Sequence, residues 1–348
     1  MMINQPSRET IRLPIAGTLM AAALLAGCAQ ELPQQSSLLQ AAGVQPSSTF
    51  AMAATAPCDG RPAGELAIHR RGNQAFVSLA VNGKTLNLLL DTGDFVTSVT
   101  PDAAARLALP ASSEPGVQMT GIGGSYVAPV VEAADVQYLG QHVSHVPFPV
   151  LPGSEFQPEE HIDGLFGANF LSAYEVEMDF PAGKLRFYRH DAGCGASAPA
   201  WTAHATRLAA TDAGHQLLLI PVSINGVELN ALLDTGSEDT SITRDAAQML
   251  GLTDAAMRGD QQITENGLGQ STERLHHFDS ISIGSATFAR PVLAVDDEAS
   301  PIEANVATQT ADALPVPHHG VDVILGANFL FQKRIFVAYD RGEVMIDR

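Results

Sequence analysis

Leu89-Leu90-Asp91-Thr92-Gly93 returns as Leu232-Leu233-Asp234-Thr235-Gly236, at an offset of 143 residues. The flanks return with it. Val81-Asn82-Gly83-Lys84 precedes the first copy, and Ile224-Asn225-Gly226-Val227 precedes the second. Thr97-Ser98-Val99-Thr100 follows the first copy, and Thr240-Ser241-Ile242-Thr243 follows the second. Each copy is an apolar strand that ends in an acid and turns sharply at a glycine. One such end is often no more than a turn. Made twice in one chain, it implies two similar lobes that bring two carboxylates face to face.

The residues around each copy read as strands and tight turns. Val77, Leu79 and Val81 alternate at period two, Asn82-Gly83 is a hairpin turn, and residues 84–90 return. Ile220, Val222, Ile224 and Asn225-Gly226 repeat the pattern. Short helices are expected over residues 101–109 and 244–252, with Pro101 at a first helical position. Glycine-rich hairpin tips follow at Gly121-Ile122-Gly123-Gly124-Ser125-Tyr126 and Asn266-Gly267-Leu268-Gly269. A second shared block closes each copy: Leu165-Phe166-Gly167-Ala168-Asn169-Phe170-Leu171 and Ile324-Leu325-Gly326-Ala327-Asn328-Phe329-Leu330. The second copy is longer between its acid and this block. Residues 296–320, polar and proline-containing, are expected to hold most of the gain as a surface loop.

An apolar strand ending Asp-Thr-Gly, a glycine-rich flap and a late apolar-apolar-Gly run, in that order and twice, resemble the retropepsin-like and pepsin-like aspartic peptidases. The resemblance covers nearly everything from about residue 65 to the C-terminus. It implies an all-β, two-lobed fold with pseudo-twofold symmetry and an active cleft between the lobes. It makes Asp91 and Asp234 a catalytic pair that shares a proton, because two carboxylates so close do not both ionise easily. Thr92 and Thr235 would brace the two loops across the pseudo-twofold axis. Gly93 and Gly236 would let the backbones approach, and Ser237 would hydrogen-bond the Asp234 carboxylate. The flaps, with Gly121, Ile122, Gly123, Gly124 and Tyr126 on one side and Gly267, Leu268 and Gly269 on the other, would close over an extended peptide. Gly167 and Gly326 would pack beneath the active loops. No metal or cofactor is implied.

Asp94 departs from the family, which usually has Ser, Ala or Thr after Asp-Thr-Gly. Three readings stay open for it. Ionised beside Asp91, it raises the pair's apparent pKa values, and Asp94→Ser moves the acid limb of activity to lower pH. Protonated, it donates the bond a serine would give. Turned to solvent, it does nothing. The histidines at 142, 145, 276, 277, 318 and 319 lack acidic or cysteine ligands at metal-binding spacing. Ser98 and Ser241 have no histidine partner for nucleophilic chemistry.

The chain carries a formal charge of −19, and no basic cluster follows a phosphate backbone, which argues against nucleic acid. Arg8 and Arg12 precede an apolar run that ends in Leu25-Ala26-Gly27-Cys28, similar to a bacterial lipobox. The expected organisation is a signal peptide over 1–27, a lipidated tether over 28–63, a first lobe over 64–192, a linker over 193–207 and a second lobe over 208–348. The tether, rich in Gln, Ser, Ala and Pro, spans on the order of 30 Å as a coil. With Cys28 lipidated, Cys58 and Cys194 remain; a disulfide between them fits an oxidising periplasm, and two free thiols are the alternative. Ala29, where an Asp would favour the inner membrane, leans towards the outer membrane facing the periplasm. The function expected from all this is a monomeric, membrane-anchored aspartic endopeptidase acting on peptides or proteins of the cell envelope. The alternative is a catalytically silent lipoprotein of the same fold that binds peptides or partners in its cleft.

Overall fold

The computed structural model describes residues 61–121, 123–152, 156, 161–190, 198–297 and 320–347. The three cysteines, the leader and tether, Ile122 and residues 298–319 of the long loop lie outside them. The described chain is mostly β-strand, arranged as two curled sheets and a shared sheet that joins them.

Each lobe starts from the predicted hairpin. Strand Gln74–Val81 pairs with Lys84–Leu90, and Leu218–Ile224 pairs with Val227–Leu233. Asn82 and Gly83 both take positive φ (48° and 73°), as do Asn225 and Gly226 (51° and 82°), which is the turn that matches strand twist. Near the acid the return strand is buried on both faces. Leu88 and Leu90 join the main core, while Leu89 joins a second apolar cluster on the flap side. That explains why the strand ends in a continuous apolar run and not in alternation.

The second shared block forms the other wall of each acid-bearing loop. Gly164–Phe166 runs parallel to Leu88–Leu90, and Val323–Leu325 runs parallel to Ala231–Leu233. The Asp91 N–H then donates to the Phe166 carbonyl (3.1 Å), and the Asp234 N–H to Leu325 (3.1 Å). Gly167 and Gly326 open short helices that abut the active loops. Their N–H groups donate to Thr97 Oγ1 (3.0 Å) and Thr240 Oγ1 (2.9 Å). The threonine hydroxyls donate in turn to Asn169 Oδ1 (2.8 Å) and Asn328 Oδ1 (2.7 Å). A buried Thr–Asn pair thus fixes each loop from below.

The helices after the loops are shorter than the sequence suggests: Pro101–Leu107 and Arg244–Met249, each capped by the preceding threonine. The first stops because Ala108 turns left-handed (φ 52°). The stretch read as a linker also contains structure. Residues Ala200–His204 form a 3₁₀ turn, and strand Thr206–Ala209 pairs with Glu343–Ile346.

That pairing completes a six-stranded sheet common to both lobes. Its order is Gly64–Ala67, Lys184–Tyr188, Glu175–Asp179, Arg334–Ala338, Glu343–Ile346, Thr206–Ala209. The two central strands pair in register with Val176 opposite Val337 and Glu177 opposite its repeat equivalent Phe336, where the pseudo-twofold axis passes. One face, with Val176, Met178, Ile335 and Val337, belongs to the main core. The other carries buried carboxylates, each with partners. Glu177 accepts from Tyr188 Oη (2.6 Å) and Trp201 Nε1 (3.0 Å) and pairs with Arg186 (3.1 Å); Arg334 pairs with Asp179 (3.1 Å). Buried charges persist only when neutralised and hydrogen-bonded in this way. Among the described residues no helix is long and apolar enough to cross a membrane.

Gly326 has an extended φ of −92°, so the backbone itself permits any residue. A Cβ there would nevertheless overlap the Asp239 carbonyl oxygen and come 3.0 Å from that of Ser237. Gly326→Ala is expected to destabilise the fold by about 1–3 kcal/mol, through backbone displacement rather than torsional strain, as read by urea unfolding.

Candidate active site

Asp91 and Asp234 end symmetric strands and meet at the junction of the lobes. Their side chains face each other closely enough that each charge acts on the other. Each carboxylate sits over the other loop's glycine. A Cβ on Gly93 would overlap the Asp234 carboxylate, and one on Gly236 would overlap that of Asp91. Only glycine at both positions permits this approach.

Four cross-lobe hydrogen bonds hold the arrangement. Thr92 Oγ1 donates to the Leu233 carbonyl (2.5 Å) and accepts from Thr235 N–H (3.1 Å). Thr235 Oγ1 donates to the Leu90 carbonyl (2.7 Å) and accepts from Thr92 N–H (3.1 Å). Both threonines are buried. Each carboxylate also receives backbone donors from its own loop. Asp91 Oδ1 accepts from Gly93 N–H (2.9 Å) and Asp94 N–H (3.0 Å). Asp234 Oδ1 accepts from Gly236 N–H (2.8 Å) and Ser237 N–H (3.1 Å).

The expected bond from Ser237 to the Asp234 carboxylate is made by the backbone. Ser237 reaches Asp234 through its backbone N–H, while its hydroxyl donates to the Asp239 carbonyl (2.8 Å). The hydroxyl serves the turn, and the amide serves the carboxylate.

Burial disfavours charge on both acids and raises both. Asp91 lies well above the usual carboxylate range, because the charges of Asp234 and then Asp94 add to burial. Asp234 is raised as well, chiefly by burial, against the opposing effect of its N–H donors and its bond from Asp91. The pair therefore holds one proton between its two carboxyls well above the usual carboxylate range.

Asp94 is half-buried beside the pair, with Oδ1 accepting from Val96 N–H (3.0 Å). Burial, and to a lesser degree Asp234, push it up to about 7. Asp94 is thus largely neutral in acid and charged only in neutral and alkaline solution. This moves its expected influence away from the acid limb.

The flaps converge over the cleft. Strands Val117–Gly121 and Gly124–Ala128 form the first, and Gln261–Asn266 and Gln270–His277 form the second. The tips cross at Gly123 and Gly269, where the backbones touch so closely that a Cβ on either would overlap the other. Leu268 reaches over Gly121, with a Cβ position 3.6 Å away, and Gly267 closes the second tip by donating to Gly269 (2.9 Å). Tyr126 lies on the apolar underside of the first flap, paired in register with Met119.

Other residues at the site escaped the motif reading. The Phe95 ring packs against His215 (5.3 Å between centroids). At the symmetric place, Asn73 and Gln74 donate to the Glu238 carbonyl (3.2 Å) and carboxylate (2.9 Å). Thr97, Thr240, Asn169 and Asn328 carried a signal, since each is identical in both copies.

A family model described as aspartyl protease matches residues 77–170 and 220–329, together more than half of the chain. Each match runs from a first hairpin strand into the closing block. No curated protein matches the chain.

Two measurements probe this geometry. Thr92→Val leaves the Leu233 carbonyl and the Thr235 N–H without partners. It is expected to cost about 2–4 kcal/mol in denaturant unfolding. Asp94→Ser removes a negative charge that is present where the pair loses its shared proton. Asp91 then ionises more easily, so the alkaline limb of kcat/KM is expected to move to lower pH while the acid limb stays. A pH profile in which only the acid limb moves would contradict this assignment.

Proposed function

This chain belongs to the aspartyl protease family, and from that premise we propose that it is an aspartic endopeptidase of the bacterial cell envelope. The observation that carries the reading is the close pair of Asp91, buried, and Asp234, half-buried, each carboxylate supplied by one half of a duplicated chain and set over the other's glycine.

The chemistry assigned to the pair balances as follows. Asp234, ionised, takes a proton from a water molecule as its oxygen attacks the scissile carbonyl carbon. Asp91 donates its proton to the carbonyl oxygen, giving a neutral gem-diol. On collapse, one diol hydroxyl returns a proton to Asp91, the carbon–nitrogen bond breaks, and Asp234 passes its proton to the leaving nitrogen. Both acids end as they began. The raised pKa values suit a pair that keeps one proton between its carboxyls, and the loop N–H donors support whichever oxygen carries the charge. The flap tips, meeting at Gly123 and Gly269, must part to admit an extended peptide and close again over it.

Asp91→Asn and Asp234→Asn are each expected to lower hydrolysis of a mixed peptide library by about 10²–10⁴-fold, with the double variant scarcely worse, because the two act as one unit. Substantial turnover by either single variant refutes the paired mechanism. Peptide binding without turnover in the unaltered protein would favour the silent-binder alternative.

The placement in the envelope rests on sequence outside the described residues. We infer that Cys28 carries lipid, that Cys58 and Cys194 are bridged, and that the outer membrane holds the protein towards the periplasm. A bridge over so long a loop contributes roughly 4–5 kcal/mol in the chain-entropy account. Mass spectrometry of a non-reduced digest is expected to find Cys58 joined to Cys194 and a diacylglyceryl mass on Cys28. Free thiols at 58 and 194 would eliminate the bridge.

A further inference from the structure

The two halves of the cleft share a scaffold but not a lining. Under the first flap the surface is apolar: Val96, Val117 and Met119 are buried there, with Phe95 and Tyr126 on the open side. At the matching loop positions of the second lobe, Phe95 is replaced by Glu238 and Val96 by Asp239. The second flap continues this change. Glu265 pairs in register with Ser271, Ile263 with Glu273, and Glu273 with Asp296 on the next strand. Paired residues and alternate residues share one face of a sheet. Glu265, Glu273 and Asp296 therefore lie on the same face. That face looks onto the cleft, since the charges acting on Glu265 are those of Asp239, Glu238 and Asp234.

Glu273 is the second and independent observation. It is 5% exposed, and among the described residues it has no hydrogen-bond or ion-pair partner. The charges facing it are Glu265, Asp296 and Asp239, all acidic, and burial with these neighbours pushes it up to about 8. The lobe's arginines do not relieve it. Arg274, next in sequence, points to the opposite face, where it pairs with Asp297 (2.6 Å), as does Arg244 (3.7 Å). A buried carboxyl without a partner is costly, and its Coulombic relief is a cation. Asp239 is exposed and Glu273 is buried, so a cation that reaches both has to come on a long stem.

We propose that the carboxylate-lined pocket of Asp239, Glu265, Glu273 and Asp296 is a specificity subsite for a lysine or arginine side chain of the substrate, opposed by an apolar subsite beneath the first flap. The substrate class rests on the peptidase reading; the pocket's charge preference does not. The pocket selects a peptide with a basic residue on one side of the scissile bond and an apolar residue on the other.

The test uses extended peptides with a reduced, non-cleavable bond in place of the scissile amide. Each position on both sides of that bond is scanned with arginine, lysine and norleucine, and affinity is measured by calorimetry. At one position arginine or lysine is expected to bind about tenfold tighter than norleucine or better. Glu273→Gln and, separately, the more accessible Glu265→Gln should each shrink that ratio. The apolar preference across the reduced bond should remain. A scan with no cationic preference, or a preference untouched by both substitutions, overturns the subsite, as does failure of every peptide to bind. Hydrolysis of the matching unreduced peptide separates the two readings. Cationic preference without hydrolysis removes the peptidase and keeps the pocket, whereas hydrolysis without cationic preference does the reverse.

Discussion

Two carboxylates in hydrogen-bond contact repel each other as soon as both are charged, and burial sharpens that repulsion. A fold that holds Asp91 against Asp234 must therefore be rigid at that point. The rigidity comes from Thr92 and Thr235, whose hydroxyls each bridge a carbonyl and an N–H of the opposite loop. Below them, Thr97–Asn169 and Thr240–Asn328 fix each loop to its closing block. Further out, the six-stranded sheet binds one lobe to the other through Val176 and Val337. Each layer limits the movement of the one above it. The paired acids are held by four hydrogen bonds between the lobes and by two N–H donors to each carboxylate.

The symmetry is one of scaffold and not of surface. The Asp, Thr and Gly that meet across the axis in the two loops are identical in both copies, as are the Thr and Asn that hold each loop from within its own lobe. Positions that line the cleft have diverged, with Phe95 and Val96 standing where the second copy has Glu238 and Asp239. Contacts between a residue and its own copy constrain both at once, so a change on one side has to be met by the other. Phe95 and Glu238 contact non-equivalent residues of the other lobe, His215 and the pair Asn73 and Gln74. An asymmetric lining suits a peptide, which has a direction, held in a twofold scaffold, which has none.

Much of this was legible in the chain itself. The paired Asp-Thr-Gly ends, the Asn-Gly turns and the Gly-Ala-Asn-Phe-Leu blocks are local signals, and duplication made each count twice. Periodicity placed the hairpin strands correctly, because an alternating apolar face and a turn with positive φ are properties of a few neighbouring residues. The helices were overextended, since alanine favours helix while the stop depends on Ala108 leaving helical φ. Ser237 was placed on the Asp234 carboxylate, but no local pattern says whether its hydroxyl or its amide will face it.

By itself, then, the sequence determined the duplicated all-β architecture and the identity of the acids that end its strands. These follow from short-range patterning, which survives without knowledge of what lies opposite. Only the tertiary structure decided what those acids experience. Glu177 and Asp179 read as an ordinary polar face of a strand, yet both are buried under arginine, tyrosine and tryptophan donors. Glu273 reads as one more surface acid, yet it is buried among other acids. Asp94 is charged or neutral according to burial and the position of Asp234. A carboxylate's energy depends on the dielectric and charges within a few ångströms, and those come from segments far away in sequence.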